Sequence, residues 1–144
     1  MKLPEYITAA EVKRVCKNLG IRDWSKLKKP EVMLKEAKII LKGINPKDLK
    51  IDIEQFRIGL EVELEHGTVF KNFNVTNNHP ILTGKIVLAH FMESLDYYKR
   101  LEVAELEGDM LKAIHKKNLK KITSLYKRIA EAKIKLSKSE VSEL

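Results

Sequence analysis

Residues 51–67 read IDIEQFRIGLEVELEHG. Asp52 followed three residues later by Gln55 forms a capping box, and Ile53, Phe56, Leu60 and Leu64 recur every three to four positions, so the stretch predicts a helix running from Asp52 to Gly67 with one apolar stripe. Along the chain there is little strand alternation. Between positions 61 and 66 the same helix carries Glu61, Glu63, Glu65 and His66, a local concentration of carboxylate and imidazole.

The same punctuation extends outward in both directions. Thr8 with Glu11 makes a second capping box ahead of Val12, Val15/Cys16 and Leu19, and Gly20 stands where a left-handed C-cap is wanted. Next comes KKPEVMLKEAKIILKG (28–43), which places Pro30 at a first helical position, gives Leu34, Ala37, Ile40 and Leu41 one face, and ends at Gly43. NPKDLK (45–50) reads as a single turn. After Gly67, TVFKNFNVTNN (68–78) is irregular, with a short hairpin as one option.

Pro80 opens a fourth helix bearing Ile81, Leu82, Ile86, Leu88, Ala89 and Phe91, and Ser94 can cap a fifth from Leu95. Leu111, Ile114, Ile122, Leu125, Ile129 and Leu136 then predict either one long amphipathic element or two stacked helices, with Gly108 and His115–Asn118 as the places to break. SKSEVSEL (137–144) is expected to fray.

The expected fold is all-α: a compact helical bundle of about five helices, one irregular loop (68–79) and a long basic C-terminal helix. It forms one domain over residues 1–138, with 139–144 as a frayed tail. At 144 residues such a chain can bury a core without staples. The single cysteine, Cys16, excludes an internal disulfide framework and reads as a buried structural thiol. No signal-peptide pattern and no run of about 18 apolar residues occurs, so an intracellular setting (cytoplasm, nucleus or virion) and no membrane partner are expected. NVT at 74–76 then marks only a polar loop.

Charge is unevenly distributed. Residues 1–51 hold 13 Lys/Arg and 6 Asp/Glu, residues 52–111 hold 5 and 11, and residues 112–138 hold 10 and 1, within a formal net charge of +8. Two basic segments flank an acidic centre. Lys112, Lys116, Lys117, Lys120, Lys121, Lys127, Arg128 and Lys133 form the candidate nucleic-acid-binding set, with Lys26, Lys28, Lys29, Lys35 and Lys38 in support. A solvated face is the plain alternative. An anionic membrane surface is disfavoured because the segment has neither Trp nor Phe on its apolar side. Tyr126 is its one aromatic, so base stacking is not expected.

Glu63 and His66 are an i, i+3 pair, and His90 and Glu93 repeat the spacing in reverse order, with Asp96 and Tyr97 following. An inward-facing E-x-x-H is the ligand unit of di-iron and di-manganese bundles, so a divalent metal is one reading of these six residues. Acid–base chemistry is a second. The third is a structural polar cluster, in which Glu63 hydrogen-bonds His90, His66 supports a helix C-terminus and Glu61 and Glu65 are solvated.

IDIEQFRIGLEVELEHGT and NVTNNHPILTGKIVLAHFMESLDYYKRLE, together with LGIRDW at 19–24, resemble a domain-of-unknown-function family of small bacterial, archaeal and giant-virus proteins with an E-L-E-H-G signature. The resemblance covers Leu19–Trp24 and Ile51–Glu102 and implies no activity. Against that pattern, residues 25–50 look like an inserted basic helix packed outside a family core at 52–107, and residues 108–138 look like a basic C-terminal addition. Asn78 and His79 stand where relatives tend to carry an acidic pair, which weakens an ion site there and leaves Asn78 as a helix cap.

Three functions compete: a non-enzymatic nucleic-acid-associated helical protein, which a giant-virus origin would suit; a metal-dependent (Fe/Mn/Zn) helical-bundle enzyme; and a structural or protein-interaction module. The basic additions favour the first. Oligomeric state is not legible in the residues.

Overall fold

The computed structural model describes residues 6–45 and 49–143. The turn expected at 45–50 falls partly on residues 46–48, outside the described residues. Among these residues six α-helices follow in order: α1 (Ala9–Leu19), α2 (Leu34–Ile44), α3 (Ile53–Thr68), α4 (Pro80–Glu93), α5 (Tyr97–His115) and α6 (Leu119–Glu143). Short 3-10 turns occupy Trp24–Lys26 and Lys71–Phe73. The chain is all-α, with no strand among the described residues, so the hairpin option in 68–78 is replaced by a 3-10 turn. No described helix is long and apolar enough to cross a membrane.

The chain divides into two compact units, residues 1–92 and 93–144. In the first, Val12, Cys16, Trp24, Ala37, Ile40, Phe56, Leu60, Leu64, Val87 and Phe91 are buried. The expected caps close as read: Glu11 N–H donates to Thr8 Oγ1 at 3.1 Å and Gln55 N–H to Asp52 Oδ1 at 2.9 Å, while Gly20 ends α1 at φ 68°. Cys16 is buried, and burial raises its thiol pKa.

Two readings change around α2. The helix begins at Leu34 rather than at Pro30, because the backbone before it is held extended by carboxylates: Met33 N–H donates to Glu36 Oε2 at 3.0 Å and Val32 N–H to Glu61 Oε1 at 3.0 Å. Nor is α2 an external appendage. Its Ala37 and Ile40 are wholly buried, and a Cβ built on Gly84 of α4 would stand 2.9 Å from Ile40 Cγ2 and 2.5 Å from Ile44 Cδ1, so α4 passes against α2 where a side chain is missing.

In the second unit, α5 and α6 form a hairpin closed by a turn in which Lys117 has φ 51° and Asn118 Oδ1 accepts from Lys121 N–H at 3.0 Å. The break thus falls in His115–Asn118, and Gly108 lies inside α5. Leu106, Ala113, Leu125 and Ala132 form the core, joined by Val103, Met110, Ile122 and Ile129. The 3–4 spacing on both helices is a heptad seam, which packs two helices side by side. Helix α6 continues to Glu143, past Lys138.

Candidate functional site

In the first unit Glu63 lies between the two histidines that spacing singled out. Its Oε1 is 3.5 Å from His90 Nε2 and its Oε2 is 3.8 Å from His66 Nδ1. The Glu63 side chain is 10 % exposed, His90 26 % and His66 55 %, so the cluster opens on the His66 side. His66 Nδ1 also lies 3.1 Å from the Glu63 carbonyl, which holds the ring on the last turn of α3. One carboxylate therefore joins α3 to α4 through His90. Glu61 is not simply solvated: it accepts from Val32 N–H and from Arg57 Nη1 at 2.5 Å, tying α3 to the approach of α2.

Glu93, Asp96 and Tyr97 belong to the second unit. Asp96 is fully buried and accepts from Arg100 Nε at 2.8 Å, Arg100 Nη2 at 2.7 Å and the Ser94 hydroxyl, and Arg100 also reaches Glu140 at 2.9 Å. Burial pushes the Asp96 carboxyl up, and the Arg100 and Ser94 hydrogen bonds outweigh it and bring it below its ordinary value. Ser94 thus donates to the Asp96 carboxylate rather than capping α5, which begins at Tyr97. Among the described residues no group of three or more His, Cys, Asp or Glu side chains is placed to hold a metal ion.

Two polar sites escaped the spacing argument. The first is Asn77-Asn78-His79 ahead of α4. Asn77 and Asn78 have φ 48° and 61°, a conformation asparagine tolerates better than most residues. The cap of α4 is His79, whose Nδ1 accepts from Leu82 N–H at 3.3 Å, while Asn78 turns inward and donates to the Trp24 carbonyl at 3.4 Å. The Asn-Asn-x-Pro run was the available signal. The second is Glu36, fully buried on the apolar face of α2, which accepts from Arg22 Nε at 2.9 Å, Arg22 Nη2 at 2.7 Å and Arg22 N–H at 3.1 Å as well as from Met33. A charge beside Ala37 and Ile40 was its signal.

His79 gives a pH prediction. Burial lowers its pKa, with Arg14 acting in the same direction and Glu11 opposing. The neutral ring is the one that accepts from Leu82, so its contribution is fully present above its ordinary value of 6.5 and is lost as pH falls through the lowered value. In urea titrations the stability of the parent relative to His79→Asn should fall as pH is lowered from neutral, because asparagine retains a cap acceptor that does not titrate. Parallel pH profiles would contradict this role.

The C-terminal cations fall into two groups. Lys112 and Lys121 approach Asp109 at 3.0 and 3.9 Å, Lys127 approaches Glu131 at 3.9 Å and Lys133 approaches Glu107 at 2.6 Å. Lys116, Lys117, Lys120, Arg128, Lys135 and Lys138 are exposed and form no ion pair with another described residue. Lys135 and Lys138 were not in the set drawn from sequence.

A family described as "Protein of unknown function (DUF5661)" matches residues 12–107. The chain belongs to this family. No curated protein and no solved structure matches it. The DUF5661 segment holds the Glu63 cluster, the Asn-Asn-His cap and the Arg22–Glu36 pair, and it runs through residues 25–50, the stretch read as an insertion. It stops at Glu107, so all of α6 lies beyond it.

Chemically, the Glu63 cluster can pass a proton between a carboxylate and two imidazoles or hold two helices together. The exposed cations can neutralise phosphates.

Proposed function

We propose that the chain is a non-enzymatic nucleic-acid-associated protein whose α5–α6 hairpin binds the phosphate backbone with little sequence preference. The observation that supports this reading is the set of six cations, Lys116, Lys117, Lys120, Arg128, Lys135 and Lys138, left without an ion pair among the described residues. Lys116 and Lys117 form the turn of the hairpin, and the other four share one face of α6. A lysine without a partner keeps its full charge for a polyanion, and each phosphate it neutralises releases condensed counterions. Of the acids of α5, Asp109 is engaged with Lys112 and Lys121 and Glu107 with Lys133, which limits the repulsion of the ligand by these two. An intracellular site of action, and a giant-virus source such as the E-L-E-H-G resemblance includes, suit genome association.

With about five phosphates contacted, log affinity for duplex DNA or RNA should fall against log salt with a slope of about −4 to −5. Reversing Lys116, Lys117, Lys120 and Arg128 to glutamate should weaken binding about 100-fold at low salt and leave helicity intact. Salt-independent binding in the parent, or unchanged affinity in the reversed variant, would overturn the reading. Scrambled duplexes of equal length should bind alike.

A further inference from the structure

Helix α6 has more apolar surface than α5 uses. Against α5 it turns Ile122, Leu125, Ile129 and Ala132. At about 100° per residue the cations Lys120, Arg128, Lys135 and Lys138 lie on a second face, roughly 120° away. A third face, roughly 120° from both, carries Leu119, Tyr126, Ile134 and Val141, which are 77, 73, 56 and 71 % exposed. Four large apolar side chains on one line of one helix, all in water, are more than scattered surface hydrophobics.

The spacing of this stripe identifies its occupant. Leu119 and Val141 lie equally far on either side of Ala130, Tyr126 and Ile134 lie equally far inside them, and the small polar Thr123 and Ser137 are also symmetric about Ala130. A stripe that reads the same from both ends is complementary to itself when the helix is turned end for end, which is the requirement of a two-fold interface. We propose that α6 pairs antiparallel with α6 of a second copy of this chain, about a two-fold axis at Ala130.

In that pairing Leu119 meets the partner's Val141, Tyr126 meets the partner's Ile134, and Ala130 meets itself, where its methyl lets the axes approach to about 8 Å. Lys127 comes beside the partner's Glu131, so the flanking charges attract across the axis. Lys133, Ile134, Ser137, Lys138 and Val141 border an open groove of about 470 Å³, the last four at i, i+3, i+4 and i+7, the spacing of a coiled-coil hole, and the segment opposite it begins at the partner's Leu119. Antiparallel pairing also places the same flank of both helices on one side, so the two cationic faces open together and both α5 helices lie on the other side. The pairing requires no nucleic acid, so it can fail while phosphate binding stands, and the reverse.

Light scattering of the full chain across a dilution series reaching about 100 µM should show a dimer that dissociates on dilution. Ala130→Glu, at an exposed position, should give a monomer of unchanged helicity. Under mild oxidation Ala130→Cys should form a linked dimer. Thr123→Cys should not, because it faces the partner's Ser137, but it should link to added Ser137→Cys chains. Buried Cys16 gives the same background in each. A monomer at the top of the series, a dimer that survives Ala130→Glu, or Thr123→Cys linking to itself as readily as Ala130→Cys would overturn the proposal. The first outcome would leave the stripe to a different protein.

Discussion

Glu36→Ala is expected to lower the unfolding free energy of the first unit by about 3–4 kcal/mol. The carboxylate is fully buried and takes three donors from Arg22 and one from the Met33 backbone. Removing it strands two backbone N–H groups, leaves a cavity beside Ala37 and Ile40, and releases Arg22, whose side chain is 36 % exposed and can recover some hydration. That partial exposure keeps the expected cost near the lower end of the range for breaking buried pairs. The pair also sets where α2 begins, so the loss should extend to the Glu31–Met33 backbone.

Burial pushes the Glu36 carboxyl up, but the hydrogen bonds from Arg22 and Met33 outweigh it and its pKa lies below the ordinary 4.5. Its contribution is therefore present above that value and lost as pH falls through the lowered one. The difference between parent and Glu36→Ala, measured by urea titration, should shrink under acid. A difference below about 1 kcal/mol at neutral pH would show that the pair is not what holds α2.

Gly67→Ala should cost about 3 kcal/mol, the upper end of the range for overpacking. A Cβ at this position would lie 1.8 Å from Asn78 Oδ1 and 2.8 Å from Asn78 Cγ. Asn78 cannot easily give way: it is buried, sits at φ 61° and donates to the Trp24 carbonyl. The glycine of E-L-E-H-G therefore acts by close approach rather than as a helix stop, and α3 runs one residue past it to Thr68, whose hydroxyl donates to the Leu64 carbonyl at 2.8 Å. Removing the obstacle in Gly67→Ala/Asn78→Ala should return part of the loss, and the non-additivity of the two changes measures the contact. Full additivity would contradict it.

The division at Glu107 gives these effects a functional meaning. The Glu63–His90 and Arg22–Glu36 pairs of the first unit lie in the DUF5661 segment, whereas the cations with no ion pair among the described residues lie in the α5–α6 turn and on α6, and the symmetric apolar stripe lies on α6, all outside it. Destabilising the first unit and reversing the charge of α6 should therefore report on different properties of the chain.

Local sequence determined the helices, because caps and apolar period act over a few residues: Thr8 with Glu11, Asp52 with Gln55, Gly20 at positive φ and Pro80 at the head of α4 all do what their chemistry dictates. The i, i+3 spacing also brought out Glu63 and His66, and with His90 it pointed to a contact that the structure makes at 3.5 Å. What spacing along one helix cannot supply is the partner from another. Arg22 and Glu36 meet although they are fourteen residues apart, Asn78 closes on Gly67, His79 rather than Asn78 takes the cap of α4, and α2, basic and read as an appendage, enters the core. Each of these depends on which buried polar group finds a complementary donor or acceptor across the fold. Only tertiary packing decides that, because the cost of leaving such a group unpaired arises once water has been excluded.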